Sequence, residues 1–283
     1  MTTLFAAAVA VQSALADARG RIDAVDARAL LCAVLGRDAA YLIAHSDDVL
    51  TAEQALTYEA WVARRAAGEP VAYITGVREF YGRAFTVTPD VLIPRPETEL
   101  LVDVALQALR GMSEPRVLDL GTGSGCIALT LAAECAGAHV TGIDASEAAL
   151  RVARANAARL GLTRVQWCAG HWLDAVGTAC FELIVSNPPY IAGDDAHLTR
   201  GDLRHEPRAA LTPGGDGLDA IRHIVRASAA HLVSGGWLWF EHGYEQGAAS
   251  RALLARHGYD AIATHRDLAG IERVSGGRTI LRG

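Results

Sequence analysis

A chain of 283 residues, 51% of them apolar, is long enough to bury one sizeable core with a smaller one beside it. No uninterrupted apolar run approaches the roughly 20 residues needed to cross a bilayer, and the amino terminus lacks a basic region followed by an apolar stretch and a cleavage site. A membrane or exported protein is therefore not expected, a formal charge of −6 argues against a protein that lives on duplex nucleic acid, and a cytoplasmic protein fits best.

Five scattered cysteines (Cys32, Cys126, Cys135, Cys168, Cys180), none spaced C-x-x-C, predict reduced thiols and no structural zinc. The ten histidines show no metal-ligand spacing either, so no metal is expected.

From Leu4 to Ala67 the pattern is helical, with breaks at Gly36 and around Ser46 to Thr51. Thr51 with Gln54 matches a capping box, opening a helix that ends near Gly68. Three or four short helices are predicted here. They carry no cluster of catalytic side chains, which leaves two roles open: a structural cap, or a grip on a macromolecular substrate.

Between Val71 and Val91 the period changes from helical to alternating, with Tyr81-Gly82-Arg83 as the turn of a hairpin. In Leu92-Ile93-Pro94-Arg95-Pro96-Glu97-Thr98-Glu99, Pro96 suits the first turn of a helix running to about Arg110, with Glu97 and Glu99 near its positive end. Arg95 either lies on the surface or points into a cleft. The division this predicts is a helical bundle over 1–72, a β-hairpin linker over 73–92 and an α/β catalytic domain over 93–283.

The second half alternates strand and helix, the mark of a mostly parallel sheet covered on both faces. Seven strands are predicted: Arg116–Leu120, His139–Ile143, Arg164–Cys168, Phe181–Ser186, Gly236–Glu241, Tyr259–Thr264 and about Glu272–Leu281.

The stretch Val117-Leu118-Asp119-Leu120-Gly121-Thr122-Gly123-Ser124-Gly125 ends the first of these strands and opens a helix. Glycines there let the backbone approach a ligand and adopt positive φ, and the helix start offers free N–H groups. A nicotinamide fingerprint would place its third glycine where this chain has Cys126. Asp144, after the next strand, is placed to accept hydrogen bonds from both hydroxyls of a ribose. Trp172, at the carboxyl end of the third strand, is either a core aromatic or a flat surface beside an adenine, and its position favours the latter. No role is assigned to His171.

The fourth strand runs into Ser186-Asn187-Pro188-Pro189-Tyr190, where two prolines end the ladder and hold a stiff corner. Neither proline has an N–H, so the corner offers carbonyl oxygens, a carboxamide and an aromatic face. Taken alone, a proline pair is a rigid turn beside a buried tyrosine. With a cofactor loop upstream it suits a planar group bearing NH2: Asn187 and the Pro188 carbonyl accept its two hydrogens, and Tyr190 lies against its plane. Glycine loop, Asp119, Asp144 and this corner together favour S-adenosyl-L-methionine over NAD.

These residues resemble the HemK/PrmC-type protein-(glutamine) methyltransferases that modify peptide chain release factors. The likeness covers nearly the whole chain: Glu69 to Gly76, Glu79-Phe80-Tyr81-Gly82, Ile93 to Glu99, Asp119 to Gly125, Asn187-Pro188-Pro189-Tyr190, Leu203-Arg204-His205-Glu206-Pro207 and Glu241-His242-Gly243. Asn-Pro-Pro-Tyr is shared with adenine-amine methyltransferases, whereas the Pro94 to Glu99 stretch and the helical amino-terminal segment are more specific.

The resemblance implies a seven-stranded, Rossmann-like methyltransferase sheet with one antiparallel strand near its end, a small helical substrate-recognition domain and a hairpin linker. It implies that Gly121, Thr122, Gly123, Ser124, Gly125, Asp144, Trp172 and Asn187 contact the cofactor, which leaves as S-adenosyl-L-homocysteine. Asn187, Pro188, Pro189 and Tyr190 would hold a glutamine, with Asn187, Pro188 and Tyr190 in the catalytic role. The implied partner is a release factor presenting Gly-Gly-Gln. His171, where relatives commonly carry an acidic residue, and Ile271, where they often carry a more polar one, are departures.

Three rivals stay open on the sequence: glutamine methylation of a ribosomal protein, amino-methylation of adenine in nucleic acid, and a non-catalytic subunit that keeps the fold. The acidic balance and the lack of a basic, aromatic target-recognition region count against the second. The intact loop, Asp144 and corner count against the third.

Overall fold

The computed structural model describes residues 9–280, so the start of the first helical stretch at Leu4 and the end of the last strand at Leu281 lie outside the described residues. It divides into two compact units after Gly76.

The first unit is all helical: α1 (Val11–Arg19), α2 (Ala24–Leu35), α3 (Ala39–Ala44), α4 (Ala52–Ala66) and α5 (Val71–Thr75). The Thr51 hydroxyl accepts the Gln54 N–H (3.2 Å) while the Gln54 side chain accepts the Thr51 N–H (2.9 Å), so two otherwise orphaned donors at the start of α4 are satisfied. Leu30, Leu31, Tyr58, Val62 and Ile74 share one buried cluster.

Helix α5 differs from the alternating pattern expected from Val71 onward. Pro70 precedes it, Gly76 in the left-handed region (φ 73°) ends it, and Ile74 is buried with the helical core. The boundary therefore falls after residue 76 and not at 72.

The second unit opens with the hairpin β1 (Val77–Phe80) and β2 (Arg83–Thr86). Its turn has two residues, Tyr81 (φ 51°) and Gly82 (φ 69°), and positive φ at both is what a type I′ turn requires, so Arg83 belongs to the strand and not to the turn. Nor is the hairpin a free linker. Phe80 and Phe85 meet edge to face at 6.2 Å within the core, and the Asn156 carboxamide bonds both the N–H (2.7 Å) and the carbonyl (3.0 Å) of Thr86.

A 3₁₀ turn at Pro96–Thr98 leads into α6 (Glu99–Ala108). Then follow β3 (Arg116–Leu120), α7 (Cys126–Glu134), β4 (His139–Asp144), α8 (Glu147–Arg159), β5 (Gln166–Ala169) and β6 (Phe181–Ser186). The chain ends with α9 (Arg208–Leu211), α10 (Asp219–Ser228), β7 (Leu232–Glu241), α11 (Gly247–Arg256), β8 (Tyr259–Arg266) and β9 (Glu272–Thr279).

The seven large strands form one sheet in the order β5-β4-β3-β6-β7-β9-β8, parallel except for β9, which runs antiparallel to both neighbours. Successive residues of a strand serve opposite faces: Val117, Leu183 and Val185 are buried in one cluster, Leu118, Leu120 and Ile184 in the other. Burial on both faces is why these strands read as continuous apolar runs.

From β3 the chain steps outward to β4 and β5, then returns to place β6 on the other side of β3. Such a reversal opens a crevice at the carboxyl ends of the strands.

Candidate active site

Four strand ends and their loops converge on that crevice. Gly121, Gly123 and Gly125 all have positive φ (72°, 55° and 79°). A side chain at Gly125 would also begin only 3.0 Å from the Trp167 ring and 3.2 Å from Ala153, so this position excludes one on two counts.

The loop is tied down from beneath by Asp119, whose Oδ2 accepts the Thr122 hydroxyl (2.6 Å) and the Ala128 N–H (3.2 Å). Asp119 is wholly buried, and desolvation outweighs these two donors, pushing its carboxyl up to about 7. Its other oxygen has no hydrogen-bond partner among the described residues.

Asp144 ends β4 and is held on both oxygens, Oδ2 by the Gly123 N–H (2.9 Å) and Oδ1 by the Ser146 N–H (2.8 Å). Burial raises its pKa while these backbone donors oppose the rise. A carboxylate has about four acceptor sites, so each oxygen keeps one.

Trp172 follows β5 with φ 53°, and its Cζ3 would lie 3.7 Å from a side chain started at Gly121. Bare backbone thus faces the indole. The ring packs partly on the core and also walls the crevice. His171 stands edge-on to it at 5.6 Å and walls the crevice as well.

Beneath the corner, the Ser186 hydroxyl donates to the Leu120 carbonyl (2.8 Å), pinning the end of β6 to the end of β3. Asn187 therefore lies beside the glycine loop. Its Nδ2 donates to the Thr98 hydroxyl (3.1 Å), which donates in turn to Glu241 Oε2 (2.6 Å). The other oxygen of Glu241 takes the Tyr190 hydroxyl (3.0 Å), and the Gln246 side chain donates to the Tyr190 carbonyl (2.9 Å). Glu241 is 2% exposed. Burial raises its pKa, against which the two hydroxyls and the charge of Arg273 act. Tyr190 is raised as well, by burial first and then by the charge of Glu241.

These strand ends enclose a cavity of about 410 Å³, a size suited to a small-molecule ligand. Gly121, Thr122, Gly123, Ser124, Asp144, Trp172, Asn187 and Pro189 line it, and Gly125, Pro188 and Tyr190 do not. Gly125 instead starts the helix behind the loop, Pro188 is buried, and the Tyr190 hydroxyl is turned to Glu241.

Other parts of the wall come from outside the glycine loop, the strand-end acid and the proline corner. Thr98 comes from the turn before α6, Ser146 and Ala149 from the start of α8, Pro207 and Ala210 from around α9. Arg95 points into the cavity wall and forms an ion pair with Glu206, whose side chain is fully buried and also accepts the Ile93 N–H (2.9 Å). Among the described residues, no three His, Cys, Asp or Glu side chains are grouped to hold a metal, and no helix is long and apolar enough to cross a membrane.

A parallel sheet closed by one antiparallel strand, a glycine loop after β3, an acid after β4 and Asn-Pro-Pro-Tyr after β6 define a methyltransferase of the seven-stranded class. The family model described as "Methyltransferase small domain" matches residues 97–218, and that of the "PrmC N-terminal domain" matches residues 7–76.

The chain is 53% identical over 254 residues to the release factor glutamine methyltransferase of Bordetella pertussis, covering 89% of this chain and 94% of that one. With the release factor glutamine methyltransferase of Vibrio cholerae it shares 46% over 278 residues, 98% of this chain and 96% of the relative. A methyltransferase from Pyrococcus furiosus shares the fold (TM-score 0.54, 18% identity, 77% of this chain and 98% of that one). The chain belongs to the release factor glutamine methyltransferase family.

Proposed function

We propose that the protein transfers the methyl group of S-adenosyl-L-methionine to the side-chain amide nitrogen (N5) of the glutamine in the Gly-Gly-Gln motif of a peptide chain release factor, in the cytoplasm. The observation that carries this reading is that Asp144, Trp172 and Asn187 line one cavity in a chain whose relatives bear that name.

The cavity fits the cofactor chemically: its acid keeps one acceptor site on each oxygen, its glycines present bare backbone, and an indole forms part of the wall. When bound, the cofactor supplies an electrophilic methyl on a sulfonium. Gly121 to Ser124 cradle it, with Gly125 setting the helix start behind them. Asp144 takes the two ribose hydroxyls on its remaining acceptor sites, and Trp172 flanks the adenine.

The target amide nitrogen is a weak nucleophile because its lone pair is delocalised. Asn187 Oδ1 accepts one of its two hydrogens, which orients the NH2 and favours charge developing on nitrogen as the new bond forms. Pro189 walls the target side chain, and Tyr190 braces the corner through Glu241. No strong base is needed before attack, since the nitrogen's proton becomes acidic only as the nitrogen gains positive charge. The helical unit grips the factor away from its Gly-Gly-Gln loop.

Incubation with radiolabelled cofactor and, separately, a release factor, a ribosomal protein and adenine-containing DNA tests the reading. Label on the glutamine of the Gly-Gly-Gln peptide, located by mass spectrometry, is expected. Label only in the ribosomal protein or the DNA would overturn it.

A further inference from the structure

The corner's hydrogen inventory decides which way round the Asn187 carboxamide stands. The Thr98 and Tyr190 hydroxyls and the charge of Arg273 all favour the ionised form of Glu241; as a carboxylate it has no hydrogen to give, so both Thr98 (2.6 Å) and Tyr190 (3.0 Å) donate to it. Thr98 owns a single hydroxyl hydrogen. Having given it to Glu241, it meets Asn187 as an acceptor, and the carboxamide atom it faces at 3.1 Å must be the nitrogen. The opposite orientation would set a carboxamide oxygen against a hydroxyl oxygen with no hydrogen between them.

We propose that Glu241 and Thr98 are positioning residues, a buried relay that locks Asn187 so that it offers the target an acceptor and not a donor. This rests on the proposed role of Asn187 in methyl transfer and extends it to two side chains that do not act on the methyl themselves. A carboxamide is nearly symmetric in shape, so packing alone discriminates poorly between its two ends, and a flipped Asn187 would set its NH2 against the NH2 of the target. Glu241 removes that ambiguity from a site shielded from water, where an unmet hydrogen bond is costly. Its second oxygen fixes the Tyr190 hydroxyl, so the same carboxylate holds both ends of Asn187-Pro188-Pro189-Tyr190.

Single-turnover methyl transfer to a release factor at saturating cofactor tests this on the full chain. Thr98→Val keeps the shape and deletes the hydroxyl. We expect at least a tenfold fall in rate with cofactor Kd close to parental and an unchanged circular dichroism spectrum, the melting temperature falling with the two hydrogen bonds lost, whereas Thr98→Ser, which keeps the hydroxyl, restores most of the rate.

The decisive measurement is the same Val substitution made on top of Asn187→Ala. If Thr98 acts through Asn187, it costs nothing further there. Should Thr98→Val fail to fold, Thr98→Ala and Glu241→Gln, read in both backgrounds, serve in its place. Full activity of the Val variant, or Thr98 and Asn187 effects that multiply, overturns the relay. A parental protein that does not methylate a release factor overturns instead the function proposed above, so the two failures are distinguishable.

Discussion

Asp144→Ala should weaken cofactor binding strongly and stability only modestly, and the structure separates the two effects. Both oxygens already hold a backbone N–H, from Gly123 and Ser146. The two sites left over are those assigned to the ribose hydroxyls. Charge-assisted hydrogen bonds contribute about 1.5–3 kcal/mol each, and partial replacement by water lowers the sum for the pair to about 2–4 kcal/mol. At about 1.4 kcal/mol per decade this is a rise in Kd of roughly 30- to 700-fold.

The stability cost is smaller, because Gly123 and Ser146 line the cavity and water can reach the N–H groups that Ala leaves behind. Asp144→Asn is not a neutral control. Its single oxygen can hold only one of the two N–H groups, and its NH2 then confronts the other. Isothermal titration with S-adenosyl-L-methionine and with S-adenosyl-L-homocysteine measures the effect, with thermal melting alongside. A Kd within twofold of parental for the Ala variant would remove Asp144 from the cofactor site.

Asn187→Ala should cost about 2–4 kcal/mol of transition-state stabilisation in single-turnover transfer with an unchanged circular dichroism spectrum, and near-parental turnover would sink the assignment of the corner. Asp119 titrates at about 7 when folded against 3.8 when free, so its contribution to stability is complete below 3.8 and is lost as pH rises through about 7. Asp119→Asn removes that dependence, and its stability relative to the parent should climb by up to a few kcal/mol between pH 4 and pH 8 in denaturant titrations; a gap independent of pH would refute the buried, raised carboxyl. Removing the helical unit up to Gly76 should leave cofactor affinity largely intact and raise KM for a whole release factor, and unchanged kinetics would mean that the unit is only a cap.

Much of the fold was legible because its signals are local. A sheet covered on both faces needs strands that are mostly apolar, and Val117-Leu118 and Leu183-Ile184-Val185 announce themselves that way. Glycines at 121, 123 and 125 mark positive φ, and an acid one strand later marks the ribose position. Helix α5 was less legible because five residues between Pro70 and Gly76 are too few to display a period. The two-residue turn is tighter than the pattern implies because Tyr81 carries a positive φ that its side chain does not advertise, which leaves Arg83 in the strand.

What set the detail of the site was not local. Thr98 meets a carboxamide 89 positions away and a carboxylate 143 positions away, and Arg95 meets a carboxylate 111 positions away. Nothing in Trp237-Leu238-Trp239-Phe240-Glu241 distinguishes a carboxylate that organises a corner from a polar residue that merely ends a strand. The difference lies in what faces it. A carboxylate held in a dry pocket by two hydroxyls is costly to desolvate, and replacing such a charge with an apolar group of similar size is often neutral or stabilising. Stability is therefore a poor reason for this chain to bury Glu241. An orientational reason, visible only once Thr98 and Asn187 lie side by side, accounts for it better.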